Sequence, residues 1–194
     1  KGDLYLVDSG GQYSFGTTDV TRTVSLDNQS NYIKEIYTRV LKGHIAVSNF
    51  KIKKNSTGSE VDQNARKYLK KINLDYPHGT GHGVGCFLNV HEGPQSLSKN
   101  NKINLRDGMI VSNEPGYYKE GAFGIRIENL VCIKKNKFQE LTMAPIEKDL
   151  IDKKILNLSE IKWINNYHAK VKKSLLRFMN FQEKIDLTKA CSPI

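Results

Sequence analysis

The 194-residue sequence has the length of one domain or of part of a larger protein, and its 38% hydrophobic and 26% charged residues suffice to build a core and exclude intrinsic disorder. No apolar run approaches the roughly 20 residues that span a bilayer, and the opening KGDLYLVDSG has an acid where a secretory leader needs an apolar stretch. The net charge of +10 sits on lysines scattered in short runs such as Lys53-Lys54 and Lys172-Lys173, without interleaved aromatics, so neither nucleic acid nor a membrane is the expected partner.

In chain order, Leu4-Tyr5-Leu6-Val7 and Val20-Thr21-Arg22-Thr23-Val24 read as strands on either side of turn glycines. Ile33, Ile36, Tyr37, Val40, Leu41 and Ile45 repeat at three- and four-residue steps and predict a helix over 31–50. After the loop NSTGS (55–59), Ser59 is placed to cap a second helix to about Lys71, with Val61, Ala65, Tyr68, Leu69 and Ile72 as its buried stripe. From Pro77 to Thr142 the texture is glycine-rich β, with strands expected at 109–111, 125–127 and 130–133. The tail from Ser159 to about Met179 returns to helical spacing through Ile161, Ile164, Tyr167, Val171, Leu175 and Phe178. Trp163, Tyr167 and Phe178 are candidates there for a buried seam. The order is that of an α+β fold, with residues 1–150 as the main body and 151–194 as a helical extension packed on it. Cys86, Cys132 and Cys191 are odd in number and unpaired in spacing. They suggest free thiols in a reducing compartment, and hence the cytoplasm.

The chemistry lies in acids set within these β segments. Asp8 and Asp19 are symmetric about a point between Tyr13 and Ser14, so a hairpin turning there would set their carboxylates nearly opposite each other. Glu114 and Glu128 are symmetric about Gly121 in the turn-like Lys119-Glu120-Gly121. Four acids brought together repel unless a cation lies between them. In HGTGHGVG (78–85) glycine at every second position disfavours a helix. An extended chain would point His78 and His82 to one face but well apart, so one can bind metal while the other reaches a substrate. A single Asp at a strand end is more often a turn or cap residue. His44 and His168 lie in helical patterns and read as structural, His91 is ambiguous by itself, and Glu92 and Glu120 sit in exposed turns. Asp8, Asp19, Glu114 and Glu128 with one imidazole of His78 and His82 form a hard, oxygen-rich donor set suited to two divalent ions. Mn²⁺ is favoured and Zn²⁺, Co²⁺ or Fe²⁺ are possible, and the implied reaction is hydrolysis.

The segments DSGGQYSFGTTDVTRT (8–23), HGTGHGVGCFLNVHEGP (78–94) and NEPGYYKEGAFGIRIENLV (113–131) resemble the Xaa-Pro aminopeptidases. These are pita-bread metallopeptidases related to prolidase and methionine aminopeptidase. The cytosolic eukaryotic form is the nearest, and TMAPIEKDLID (142–152) and WINNYH (163–168) extend the likeness. The lysine- and asparagine-rich composition also resembles that of parasites with AT-rich genomes. The resemblance implies a curved antiparallel sheet backed by helices, with Asp19 and Glu128 bridging both ions, Asp8 completing one ion's shell, and His82 and Glu114 completing the other's. It further implies that Glu114 is ligand and general base, that His78 and His91 position the substrate, and that Arg126 bonds the carboxylate shell. The implied substrates are short peptides with proline at the second position, and the implied assembly is a homodimer.

Members of this family carry large N-terminal domains and begin their catalytic domain before the strand of Asp8. The sequence is therefore expected to hold the C-terminal part of that domain and, alone, to turn over poorly. Three alternatives remain open at this point: a non-catalytic relative that binds peptide, histone or RNA, a prolidase or methionine aminopeptidase specificity, and a digestive or lysosome-like location.

Overall fold

The alternating residues at the start of the chain form an antiparallel ribbon in the computed structural model, which describes residues 3–87 and 89–194. β1 (Leu4–Ser9) pairs with β4 (Val20–Ser25), from Leu4 opposite Ser25 to Ser9 opposite Val20. The ribbon runs on into β2 (Gln12–Tyr13) and β3 (Gly16–Thr17), where Tyr13 faces Gly16 and the two-residue loop Ser14-Phe15 closes it. The turn is thus centred one residue later than the spacing of the acids suggested, and Asp8 faces Thr21 rather than Asp19. Pairing of Tyr13 with Gly16 across the tight turn fixes the register, and carboxylate symmetry has no part in it.

α1 (Asn31–Ser48) starts at Ser30, whose side chain accepts from Ile33 N–H, and buries Ile36, Tyr37, Val40, Leu41 and Ile45 as the periodicity predicts. It ends two residues short of the expected Phe50. α2 (Gly58–Lys70) follows Thr57, so Ser59 lies inside the first turn; its hydroxyl donates to Lys99 O at 2.9 Å and does not cap. Val61, Ala65 and Leu69 are buried, whereas Tyr68 and Ile72 are only half-buried, because Asp62 and Arg66 occupy part of the inward face. Those two are ion-paired at 2.8 Å, and Asp62 also accepts from Thr80 N–H and Oγ–H.

The glycine-rich region supplies β5 (Gly81–His82), β6 (Ser96–Leu97), β7 (Ile110–Asn113), β8 (Gly116–Lys119), β9 (Phe123–Arg126), β10 (Asn129–Lys134) and β11 (Lys137–Glu140). The three expected strands appear as β7, β9 and β10; β8 and β11 were not anticipated. β7, β10 and β11 form an antiparallel sheet, β10 in the middle. Gly116 opposite Arg126, Lys119 opposite Phe123 and Asn113 opposite Asn129 all keep Gly121 at the centre of the second ribbon, as expected. Gly121 has φ +67, a conformation that costs glycine little and other residues more.

One apolar cluster joins the inward face of α1 to Ile125, Ile127, Ile146 and Leu150, and a second joins Val61, Leu97, Val111, Val131 and Ile133. The tail is α3 (Leu158–Leu175), a single 3₁₀ turn, then α4 (Phe181–Ala190). Ile164, Tyr167 and Val171 enter the first cluster, and Trp163 stacks on Tyr167 at 5.2 Å. Phe178 is 69% exposed: the 3₁₀ turn takes it off the helical stripe, so it is not part of the seam. No helix among the described residues is long and apolar enough to cross a membrane.

Asn157 caps α3 through a full capping box with Glu160, a residue that also pairs with Lys42 of α1 at 2.6 Å. Asn157→Ala is expected to lower stability by about 1 kcal/mol, read as a reduced denaturant midpoint with an unchanged slope. An unchanged midpoint would show that the tail does not depend on its cap.

Candidate metal centre

Asp19 immediately precedes β4, and the period of two carried one residue back from that strand puts it on the side of Thr21, to which the pairing of Asp8 with Thr21 also brings Asp8. The two aspartates are therefore diagonal neighbours and still converge. In the second ribbon Glu114 and Glu128 fall opposite each other in the projected register, at the break that Pro115 makes between β7 and β8. Glu128 N–H donates to Thr21 O at 3.1 Å and Glu114 N–H to Thr80 O at 2.8 Å, which stitches both ribbons to the segment before His82.

His82 enters between Gly81 and Gly83. A Cβ on Gly81 would lie 1.9 Å from Ser112 O, and one on Gly83 would lie 1.9 Å from Glu92 O. The alternating glycines thus allow the close approach that sets the imidazole among the acids.

Ligand atoms of Asp8, Asp19 and Glu128 lie within 4.8 Å of one another, as do those of His82, Glu114 and Glu128. All five predicted donors therefore meet, and Glu128 belongs to both groups. His82 Nε2 is 3.4 Å from both Asp19 Oδ2 and Glu114 Oε1, while its Nδ1 is 3.0 Å from Gly83 O. A proton on Nδ1 donated to that carbonyl leaves the Nε2 lone pair facing the carboxylates, the tautomer of a metal-binding histidine.

The other predicted residues surround this core. Arg126 Nη2 donates to Asp8 Oδ2 at 2.6 Å, Nε to Thr21 Oγ1 at 2.9 Å and Nη1 to the Tyr118 hydroxyl at 2.9 Å; Nε is also 3.9 Å from Glu114 Oε2. His78 lies outside β5, and its Nε2 meets the Tyr118 hydroxyl at 2.8 Å. His91 is exposed, yet its ring centroid is 4.2 Å from that of His82, and it forms a third donor group with Asp19 and His82. Glu120 and Glu92 are exposed and outside these groups.

Tyr118 and Thr21 are the site residues that the sequence reading missed. Thr21 Oγ1 donates to Glu128 Oε2 at 2.6 Å while accepting from Arg126. Both were legible from the period of two: Tyr118 follows Glu114 by four residues, and Thr21 follows Asp19 by two.

The electrostatics call for added positive charge. Burial, reinforced by Glu114, Asp19 and Asp8, pushes the Glu128 carboxyl up to about 8 against the opposing Thr21 hydrogen bond. Burial also raises Glu114, against the pull of His82, Ser112 and Arg126. At His82 burial disfavours the charged ring, but Asp19, the Gly83 carbonyl and Glu114 outweigh it and raise its pKa. Four carboxylates share one guanidinium, which leaves a surplus of negative charge. Two divalent ions would offset the charge of the four acids, and carboxylate with imidazole is the donor chemistry such ions prefer.

The sequence pattern of metallopeptidase family M24 matches residues 1–135, and that of the C-terminal region of peptidase M24 matches residues 135–194. Aminopeptidase P2 of Arabidopsis thaliana is 50% identical over 182 residues, covering 87% of this chain and 26% of that protein. A probable Xaa-Pro aminopeptidase P of Arthroderma gypseum is 45% identical over 200 residues, covering 95% of this chain and 31% of that protein. The fold is similar to the crystal structure of X-prolyl aminopeptidase from Caenorhabditis elegans, described as a cytosolic enzyme with a di-nuclear active site. That match has TM-score 0.93 and 39% identity, and covers 100% of this chain and 34% of the nematode one. The prolidase of Pyrococcus furiosus aligns with TM-score 0.69 and 34% identity, over 74% of this chain and 42% of its own. The chain thus spans between a quarter and a third of the length of these two curated relatives.

Proposed function

We propose, since the chain belongs to metallopeptidase family M24, that its acids and His82 hold two divalent ions and that the protein removes the first residue of peptides whose second residue is proline. The observation that carries the reading is the meeting of five donors from widely separated segments in two groups that share Glu128. In this reading Asp8, Asp19, His82, Glu114 and Glu128 would hold the ions, with Asp19 and Glu128 as the donors shared between them. Asp8 would serve one ion and His82 with Glu114 the other, and Mn²⁺ would be the preferred ion. The donor set fits, and when bound the ions supply Lewis acidity that acidifies water and polarises the substrate carbonyl.

The protein groups do the rest. Glu114 Oε1 is held by the Ser112 hydroxyl at 2.9 Å, which leaves Oε2 to take a proton from the attacking water. Burial raises this carboxyl, so that it can accept that proton and return it. The Xaa-Pro bond is a tertiary amide without an N–H, and its leaving nitrogen needs such a delivery. Arg126 and Tyr118 fix the hydrogen-bonding face of His78, whose ring burial keeps neutral, to orient the peptide. His91 reaches the substrate from the exposed rim beside His82.

The test is metal analysis with a peptide assay on the full-length protein. Release of the first residue from Xaa-Pro-Xaa peptides, lost on chelation and restored by Mn²⁺, is the expected result. Cleavage of Xaa-Pro dipeptides alone would indicate prolidase specificity, and metal-loaded protein that cleaves neither would overturn the reading. Cys86, Cys132 and Cys191 are all free thiols, which accords with a cytoplasmic enzyme, and a homodimer is the assembly we expect in sedimentation.

A further inference from the structure

Arg22 is buried on β4 with only 8% of its surface exposed, and it touches none of the donor atoms. Its guanidinium makes six hydrogen bonds. Nη1 donates to Thr21 O at 2.8 Å and Glu128 O at 2.6 Å, while Nε donates to Pro145 O at 2.8 Å. Nη2 donates to Asn129 Oδ1 at 2.8 Å, Ala144 O at 2.7 Å and the Tyr167 hydroxyl at 3.1 Å. One edge of the fork therefore holds the backbone on both sides of the Thr21–Glu128 contact, and the other holds the segment entering the C-terminal region and a tyrosine of α3. The Asn129 amide passes the charge on, donating from Nδ2 to Glu140 Oε2 at 2.7 Å.

We infer that Arg22 is a positioning residue for Glu128 and that, through it, the packing of residues 142–167 sets the affinity of the site for its ions. This rests on the reading of Glu128 as a ligand. Glu128 gains its orientation from two Thr21 contacts, its own N–H on Thr21 O and the Thr21 hydroxyl on its carboxylate, and Arg22 clamps the two carbonyls at that crossing. A planar fork with five N–H groups can meet acceptors on both edges; the lysine ammonium, a point charge with three donors, cannot. Tyr167 lends its hydroxyl to the same cluster, 2.9 Å from Ala144 O, so its loss loosens the tail-side edge without removing the charge.

The test is titration of the metal-stripped full-length protein with Mn²⁺ alone, paired with the melting temperature of the same stripped samples. Arg22→Lys is expected to bind roughly 10- to 100-fold more weakly, as for other residues that orient metal ligands. Tyr167→Phe should shift the same way by roughly threefold, the worth of one modest hydrogen bond. A residue that merely supports the fold would lower the melting temperature of the stripped protein and leave ion affinity unchanged; that outcome in both variants overturns the inference. If Arg22→Lys does not fold, Tyr167→Phe decides alone. Wild-type protein that binds Mn²⁺ but cleaves no Xaa-Pro peptide would overturn the functional reading only, and wild-type protein that binds no ion would overturn both.

Discussion

Glutamine at position 114 is expected to lower kcat for Xaa-Pro peptides by roughly a thousandfold or more in the metal-loaded, full-length protein, with a fold indistinguishable from wild type. The side chain keeps its size, its oxygen can still accept from Ser112, and the backbone bond from Glu114 N–H to Thr80 O is untouched. What disappears is the capacity to take and return a proton, which contributes about 10²- to 10⁴-fold in general acid–base catalysis. One anionic donor beside His82 is lost as well. Metal content measured on the same sample separates the two losses. A variant that keeps its ions and loses turnover assigns the proton role to Glu114, whereas one that loses its ions reports the donor role. Glu120→Gln and Glu92→Gln, both at exposed positions, serve as controls that should match wild type. Turnover within tenfold of wild type in a metal-replete Glu114→Gln protein would remove the assigned base.

The second ribbon was legible because two local rules agreed. Gly121 favours a positive φ in the turn, and symmetric counting from it sets Glu114 against Glu128, as the pairing of Gly116 with Arg126 bears out. In the first ribbon the symmetry of the acids misled. It centres Asp8 and Asp19 between Tyr13 and Ser14, yet Tyr13 pairs with Gly16 and the loop is Ser14-Phe15. The convergence of Asp8 and Asp19 survived the error because a shift of two in the register sum keeps residues of equal parity on one face. The α1 stripe was plain from its spacing. The inward face of α2 was not, since Asp62 and Arg66 become buried only by pairing with each other and with the loop at Thr80, a partner set 18 residues away. Arg22 was opaque for the same reason. Its neighbours Thr21 and Thr23 advertise a strand, while its acceptors at 128, 129, 144, 145 and 167 are contributed by tertiary structure alone.

The carboxylate surplus that suits the site to cations also makes the metal-free protein pH-sensitive in a direction that can be worked out. Glu128 is 2% exposed, and its carboxyl is pushed up to about 8 from an ordinary value of 4.5. Between those two values the folded state holds a proton that the unfolded state has released, so stability falls as pH rises. Glu114 and His82 are also raised and act with the same sign. The buried His44 and His168 are lowered to about 3 and about 4, so they oppose the trend, but mostly below their ordinary value of 6.5. Above pH 6.5 these two histidines no longer contribute. The decline from pH 6.5 to 8 therefore reports the raised groups, Glu128 with Glu114, His82 and the buried Glu140, and the Glu128→Gln comparison singles out the first. In that window the metal-stripped wild type should lose about 1–2 kcal/mol more than Glu128→Gln, which has no charge to form there. Glutamine should thus stabilise the stripped protein at pH 8 while abolishing tight ion binding, because both donor groups lose their shared member. With Mn²⁺ present the wild-type decline should vanish, since bound ions hold the carboxylates ionised and take up the repulsion. Denaturant titrations of stripped wild type and variant at pH 6.5 and 8 are the measurement. Parallel pH dependence in the two would mean that Glu128 ionises freely in the fold and that the acids need no cation between them.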